Sequence, residues 1–129
     1  MWARNPYLDE TLGIKRGCLP RGCEYATAPY LDPTDALVTG SGHLHFSIPT
    51  TLAEEAAWWA VGEAHAVPAS VHVSLHAAAK ARGRIMSMGT VLRRGNRIFH
   101  ARGETWQEGR LLCTVEVTFT KLDAQGKGW

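Results

Sequence analysis

Few features of this sequence point to a specialised class of protein. It contains three cysteines in 129 residues, and an odd number without an export signal argues against a disulfide framework. Its formal net charge is +2, whereas binding of nucleic acid normally needs a concentrated basic stripe. No apolar run reaches the length of a membrane span. We therefore expect neither a membrane protein nor a nucleic-acid-binding protein.

The composition is that of one folded domain with its own hydrophobic core. Hydrophobic residues make up 45% of the chain and charged residues 20%, and a chain of this length can bury a core without disulfides. The first residues are partly acidic and contain no apolar segment, so we predict a cytoplasmic protein. We expect an N-terminal arm over residues 1–24, a single domain over residues 25–124 and a C-terminal tail over residues 125–129.

Cys18 and Cys23, in the stretch CLPRGC, are the first candidates for a metal site or a disulfide. Their spacing is not the two-residue gap of common zinc sites, and no second pair of ligands follows. Residues 43–45 (HLH) and 72–76 (HVSLH) place histidines at alternate strand positions, which can share a metal ion. Because no acidic or cysteine partner lies at a supporting position, we predict ordinary thiols, no metal and no cofactor.

The most apolar predicted helix, within HFSIPTTLAEEAAWWA, carries two adjacent glutamates and two adjacent tryptophans. Its alanines fall on one stripe at helical spacing, namely Ala53, Ala56, Ala57, Ala60 and Ala64. Side chains this small predict very close packing, most simply against a sheet that wraps around the helix. Glu54 and Trp58 lie on one side of the stripe, and Glu55 and Trp59 lie on the other. The two glutamates should therefore face different surroundings.

The rest of the chain is dominated by alternating patterns typical of strands. A strand is predicted over residues 36–46, before the helix, and four more follow it: SVHVSLHA, GRIMSMGTVL, RIFHARGETW and RLLCTVEVTFTKL. RRGN and QEG connect the last three and contain glycine in short polar loops, which is typical of β-hairpins. We therefore predict an α+β fold in which one helix is covered by an antiparallel meander.

This order of elements resembles the hot-dog fold, in which a curved antiparallel sheet wraps a long central helix. The motifs resemble those of hot-dog acyl-CoA thioesterases, both PaaI-like and 4-hydroxybenzoyl-CoA thioesterase-like. His45-Phe46-Ser47 occupies the place of the family's His-Gly-Gly loop, and LAEEA at residues 52–56 follows at the matching spacing. The resemblance covers roughly residues 36–122 and includes the Arg-Arg-Gly hairpin.

Two features depart from the thioesterase pattern. Phe46 and Ser47 replace the loop glycines, where a backbone N–H in the family helps to polarise the thioester carbonyl. Residues 79–81, Ala-Lys-Ala, stand where the family commonly has Arg-Pro. A weaker resemblance is to hot-dog hydroxyacyl thioester dehydratases, through His45-Phe46 followed by Pro49. The dehydratase pattern has a longer gap than the nine residues from His45 to Glu54, so the thioesterase alignment fits better.

The resemblance implies that the chain hydrolyses an acyl-CoA or acyl-carrier-protein thioester as a homodimer or homotetramer. Glu54 is the expected base or nucleophile, and Glu55 takes its place if the alignment is wrong by one residue. His45, with a backbone N–H near Phe46 or Ser47, is expected on the substrate carbonyl. The other reactions considered are those of a dehydratase or isomerase, and a non-catalytic acyl-ligand binding module remains a third possibility.

Further substrate contacts are expected, and each has a simpler structural explanation. The expected substrate-binding residues are Phe46, Ser47, Trp58 and Ser74, and the expected coenzyme A-binding residues are Arg93, Arg94 and Arg97. Trp58 and Trp59 could instead pack at a dimer interface. Ser74 could belong to a solvent-facing strand side, and the arginines to a solvated hairpin tip. Glu54 could simply complete a capping box that begins at Thr51.

Overall fold

A computed structural model describes residues 10–18 and 27–122 of the chain, which contain one long helix and six strands. The elements are β1 (Ile14–Cys18), β2 (Thr27–Leu31), α1 (Ser47–Val61), β3 (Ala66–Leu75), β4 (Ile85–Arg94), β5 (Ile98–Gln107) and β6 (Arg110–Lys121). A short 3-10 helix, Asp35–Leu37, precedes α1. The strands form one antiparallel sheet that packs against α1, as the resemblance implied.

The strand order in the sheet is β1-β2-β4-β5-β6-β3. The two predicted hairpins, β4–β5 and β5–β6, are confirmed. The predicted four-strand meander is wrong, because β3 pairs with β6 at the sheet edge rather than with β4. The nine residues between β3 and β4 cross from one side of the sheet to the other, whereas a hairpin would need a tight turn.

Gln107 holds this crossing segment in place. Its side-chain amide donates hydrogen bonds to the carbonyls of Lys80, Arg82 and Gly83, at 3.1, 3.1 and 2.9 Å. Its carbonyl accepts one from the Lys80 N–H at 2.7 Å. The side chain is almost fully buried, so these bonds satisfy both ends of an amide that would otherwise destabilise the core.

The N-terminal segment contributes a strand that the sequence did not predict. β1 lies within the predicted arm and pairs with β2, from Ile14 opposite Leu31 to Cys18 opposite Thr27. The sheet therefore extends into the segment assigned to the arm. Cys23 and the predicted tail over residues 125–129 lie outside the described residues, as do the first nine residues.

The predicted strand over residues 36–46 is wrong. The chain there makes the 3-10 helix and then a turn, and its two limbs pair only at a bridge between Val38 and Leu44. Gly42 has a φ of 84°, a left-handed conformation that turns the chain back on itself. Gly40 and Gly42 therefore interrupt the predicted strand.

Helix α1 begins five residues earlier than the capping-box pattern predicts. Phe46 is the N-cap residue, and Thr51 lies inside the helix, so the capping box at Thr51 is wrong. Pro49 is tolerated because N–H groups of the first turn have no helical partner. Gly62, with a φ of 71°, ends the helix after Val61. No helix among the described residues is long and apolar enough to cross a membrane.

The close packing predicted from the alanine stripe is confirmed for its first three members, whereas Ala60 is half-buried and Ala64 is exposed beyond the end of the helix. Ala53, Ala56 and Ala57 are buried against the sheet. Gly89 of β4 lies opposite Gly103 of β5, and a Cβ on either glycine would overlap a helix backbone carbonyl, that of Ala56 or Ala53 respectively. The helix backbone therefore rests directly on the backbone of the sheet, which explains why both surfaces consist of very small residues.

Two buried hydroxyls attach the sheet to the helix at the same contact. Thr105 Oγ1 donates to the Pro49 carbonyl at 2.8 Å, and Ser87 Oγ donates to the Leu52 carbonyl at 3.1 Å. Both side chains are fully buried. Each bond satisfies a polar group in the core and fixes the helix along its axis.

Candidate active site

Glu54 lines an open cavity of about 320 Å³ between α1 and β3. The cavity is lined by Thr50, Thr51, Glu54, Val71, Val73 and Val115. One wall is thus a polar strip of helix and the other is an apolar strip of sheet. Glu54 itself is half-buried. A carboxylate beside an apolar wall, still reached by water, can act as a general base or a nucleophile.

The groove exists because β3 extends beyond the helix. Val73 of β3 lies opposite Val115 of β6, and Val71 lies opposite Val117, so these β3 side chains face the helix side of the sheet. Val115 and Val117 are buried beneath α1, whereas Val71 and Val73 are 49% and 39% exposed. The apolar face of the edge strand is therefore uncovered in the single chain.

Glu55 has a different environment, as the sequence predicted for neighbouring positions on this helix. Successive side chains are about 100° apart around a helix, and Glu55 is 2% exposed. The structure places Glu54, and not Glu55, in the groove. Because Glu54 is seven positions beyond the helix start at Ser47, it has no part in capping the helix N-terminus.

The loop before the helix has a defined hydrogen-bond geometry. His45 Nδ1 lies 2.7 Å from Ser47 Oγ and accepts a hydrogen bond from the Ser47 backbone N–H at 3.2 Å. The Phe46 ring lies 4.6 Å from the His45 ring and is 56% exposed. Phe46 also lines a mainly apolar cavity of about 340 Å³, together with Leu44, Pro49, Leu75, His76, Ala77, Ala78 and Ala79.

The loop and Glu54 occupy the same side of the helix at different heights. Ser47 and Glu54 are seven residues apart, which is nearly two full turns and about 10 Å along the axis. A general base must approach to about 3 Å of the proton that it removes. Within one chain, His45 and Glu54 therefore do not converge on a single atom, and Glu54 and Phe46 line two different cavities.

Trp58 is not placed to bind a substrate, which corrects the prediction. It is 2% exposed, and its indole N–H donates to the Ala66 carbonyl at 2.9 Å. The Trp59 ring packs edge-on at 5.0 Å. Both tryptophans belong to the core cluster of the chain itself, so they form no exposed patch. A buried indole needs an acceptor for its N–H, and the start of β3 supplies it.

Ser74 is also separated from Glu54. It lies opposite Thr114, between neighbours in β6 that face the helix, and so points to the outer face of the sheet. His76 lies 3.0 Å from the Thr114 hydroxyl through Nε2. His72 lines an outer cavity of about 390 Å³ with His100 and Glu116. The polar side of β3 therefore faces away from the groove.

The three arginines do not share one surface. Arg93 and Arg97 line a cavity of about 400 Å³ at the β4–β5 hairpin. Arg94 points to the other side, where Nη1 donates to the Val61 carbonyl at 3.0 Å and the guanidinium lies over the Phe99 ring. It thereby satisfies a terminal carbonyl of α1, where a cation is favoured by the helix dipole.

No group of three or more histidine, cysteine or acidic side chains is placed to hold a metal ion within the described residues. Cys113 is buried beneath the helix. Burial raises the pKa of its thiol, which keeps it protonated and unreactive at neutral pH.

Solved structures match the fold, although no family model and no curated relative matches the sequence. The Escherichia coli PaaI protein from the phenylacetic acid degradation operon has a TM-score of 0.79 at 15% identity, over 92% of this chain and 86% of its own. A variant of phenylacetic acid degradation protein PaaI from Thermus thermophilus has a TM-score of 0.78 at 21% identity, over 92% and 100%.

A thioesterase family protein from Silicibacter pomeroyi has a TM-score of 0.75 at 22% identity, over 91% of this chain and 89% of its own. At these identities the likeness shows the fold alone. The α+β hot-dog fold predicted from the sequence is therefore confirmed, and the sequence resemblance to PaaI-like thioesterases agrees with the structures that match.

Proposed function

We propose that this protein is a thioesterase that hydrolyses an acyl-CoA or acyl-carrier-protein thioester to a free acid and a thiol. The observation that carries the proposal is Glu54, a half-buried carboxylate in an open groove with an apolar wall. The hot-dog fold and the likeness to PaaI and thioesterase family structures support it.

In this mechanism Glu54 removes a proton from a water molecule that attacks the thioester carbonyl. The carbon–sulfur bond then breaks, and the thiol leaves with a proton. Alternatively, the carboxylate attacks directly, and water hydrolyses the resulting anhydride. His45 and a backbone N–H of the loop donate hydrogen bonds to the oxygen that becomes negative. The apolar wall formed by Val71 and Val73 accommodates the acyl group.

The complete site is proposed to need two copies of the chain. Among the described residues, β3 is an edge strand with an unpaired row of backbone groups and exposed apolar side chains, which is a surface that proteins normally cover. Glu54 and the His45 loop of one chain lie about 10 Å apart along the helix. A homodimer, or a homotetramer built from two such dimers, would bring the loop of one protomer to the Glu54 groove of its partner.

Arg93 and Arg97 are proposed to bind the phosphates of coenzyme A, because guanidinium groups bind phosphate through paired donors. Both line the same cavity at the β4–β5 hairpin. Arg94 is left out of this proposal, because it stabilises the end of α1.

Thiol release from short, long and aromatic acyl-CoAs tests the proposal. Glu54→Gln keeps the shape of the side chain and removes the base, so kcat should fall about 10²–10⁴-fold. Glu55→Gln makes the same change one residue away, at a buried position outside the groove. With its urea midpoint measured alongside to show that it is folded, this variant should keep a kcat close to that of wild type. Loss of activity in Glu55→Gln alone would show that the alignment is wrong by one residue.

A wild-type protein that releases no thiol would contradict the thioesterase proposal. A change in substrate unsaturation without thiol release would identify a dehydratase or isomerase. Acyl-CoA binding with neither reaction would identify a binding module, which is the alternative favoured by Phe46, since its exposed ring stands where the thioesterase loop has glycine.

A further inference from the structure

The hydrogen bonds around His45 determine which ring nitrogen carries the proton. The Ser47 backbone N–H points at Nδ1, and a backbone N–H can only donate. Nδ1 must therefore accept, so it carries no proton. It follows that the Ser47 hydroxyl, 2.7 Å away, also donates to Nδ1. In the neutral ring the proton then sits on Nε2.

Two hydrogen-bond donors at this loop remain available to a ligand. His45 is exposed, and its Nε2 makes no hydrogen bond within residues 10–18 and 27–122. The Phe46 backbone N–H likewise has no partner in the described part of the chain. The Ser47 N–H, in contrast, is engaged by His45. Of the two backbone donors considered from the sequence, the geometry favours Phe46.

We infer that Ser47 is a positioning residue that holds His45 in the Nε2–H tautomer, so that Nε2–H donates to the substrate carbonyl oxygen. The Phe46 N–H is the second donor. This inference rests on the proposed thioesterase function and sharpens it. It also explains how the loop can work with serine in place of the second glycine, because the serine hydroxyl adds an interaction that glycine cannot make.

The inference is tested by replacing the hydroxyl and measuring both the ring and the reaction. Ser47→Ala removes the hydroxyl, and Ser47→Thr restores it. Ser41→Ala is the matched control, because Ser41 also hydrogen-bonds a side chain two residues away, Thr39, in an exposed loop. The tautomer of His45 is read from the chemical shifts and couplings of its ring nitrogens in ¹⁵N-histidine-labelled full-length protein.

The wild type should show the Nε2–H signature at His45. Ser47→Ala loses the shorter 2.7 Å bond and leaves only the longer 3.2 Å backbone bond on Nδ1. The preference for the Nε2–H form should therefore weaken, so that signal from the Nδ1–H form appears, and kcat should fall about tenfold, the effect of losing one hydrogen bond that orients a catalytic group. KM should stay within about twofold, because Ser47 acts on the reacting carbonyl through His45 rather than on substrate binding. Ser47→Thr should recover both properties, and Ser41→Ala should change neither.

Two results would overturn the inference. One is a wild-type His45 with its proton on Nδ1. The other is a Ser47→Ala variant whose tautomer and kcat both match wild type, which would reduce the Ser47 contact to a local turn interaction. Failure of the proposed function has a different signature: no thioester is cleaved by the wild type, while the ring nitrogens still respond to Ser47→Ala. In that case the geometry stands and the reaction assigned to it is wrong.

Discussion

Helix α1 rests directly on β4 and β5 along one side and faces the edge strand β3 across an open groove on the other. On the first side, Gly89 and Gly103 leave no room for a side chain, and buried hydroxyls bond to helix carbonyls. On the second side, Glu54 and two threonines line a cavity with exposed valines opposite.

The difference between the two sides shows how one helix can serve both stability and chemistry. A carboxylate buried without a partner is costly, so the close contact with β4 and β5 is an unfavourable place for Glu54. The groove side tolerates it because water and a ligand have access. The tight contact holds the helix still, and a rigid support of this kind keeps a reacting group in a fixed position.

The largest expected effect comes from adding a methyl group at the tight contact. In Gly103→Ala the new Cβ would overlap the Ala53 carbonyl, and because that atom belongs to the helix backbone, we expect a loss of about 3 kcal/mol in unfolding free energy. Gly40→Ala is the control, since nothing lies near its position. Equal urea midpoints for the two variants would show that the helix is not closely packed on the sheet.

A smaller loss is expected from removing one hydroxyl at the same contact. Thr105→Val keeps the shape of the side chain and leaves the Pro49 carbonyl without its 2.8 Å bond, which should cost about 1–2 kcal/mol in urea unfolding. Thr90→Val is the matched control on the exposed outer face of β4. If both variants unfold at the same midpoint, the Thr105 bond contributes nothing to stability.

On the groove side, the same kind of experiment should change assembly rather than folding. Val73→Lys places a charge on the uncovered face of β3. At protein concentrations where wild type and variant are both monomers, it should change the unfolding free energy by less than about 0.5 kcal/mol, as for other exposed positions. At concentrations where wild type assembles, sedimentation velocity should show a monomer for the variant, and thiol release should fall with it. Thr90→Lys serves as the control on the outer face. A Val73→Lys variant that stays oligomeric and active would remove β3 from the proposed interface.

The smallest effect on stability is expected at an exposed ion pair that lies on neither side of helix α1. Arg84 hydrogen-bonds to Asp32 at 2.8 Å and holds the pKa of that carboxyl below its usual value. The pair therefore stabilises the fold above the unfolded-state pKa of about 3.9 and loses this contribution as the pH falls through the lower folded value.

Asp32→Asn should accordingly lower the urea midpoint slightly at pH 7, with the difference from wild type shrinking below about pH 4. High salt should also reduce the difference in urea midpoint, because both side chains are about half exposed and salt screens the attraction between them. A difference that stayed constant from pH 7 to pH 2 would mean that Asp32 acts through something other than its charge.

Much of this fold could be predicted from local patterns. The alternation in β3 to β6, the two glycine-containing hairpins and the alanine stripe depend on residues close together in the chain, and the structure confirms them. The predicted strand over residues 36–46 failed because its glycines turn the chain instead of bending it. β1 was missed because its short, polar sequence, IKRGC, has no clear alternation.

The candidate site was less predictable than the fold. The motif spacing placed His45 and Glu54 among the candidates, but the depth of Trp58 and the outward direction of Ser74 follow from which strand β3 pairs with. The burial of Trp58 could have been predicted from its place in the most apolar part of the helix. The N–H of a buried indole usually finds an acceptor, so its polarity is no argument for a substrate-binding role. The contact between Ser47 and His45 could not be predicted, because serine stands where the thioesterase motif that the sequence resembles has glycine.

The sequence by itself determined that one helix with a stripe of alanines must lie against an antiparallel sheet. The periodicity of apolar residues and the volume of their side chains can both be seen in residues that are close together in the chain. Only the tertiary structure decided that β3 lies at the edge of the described sheet, that Glu54 rather than Glu55 meets the groove, and that Ser47 contacts Nδ1 of His45. These outcomes depend on contacts between distant segments and on the rotation of single side chains, and the energies of such contacts are absent from any local pattern.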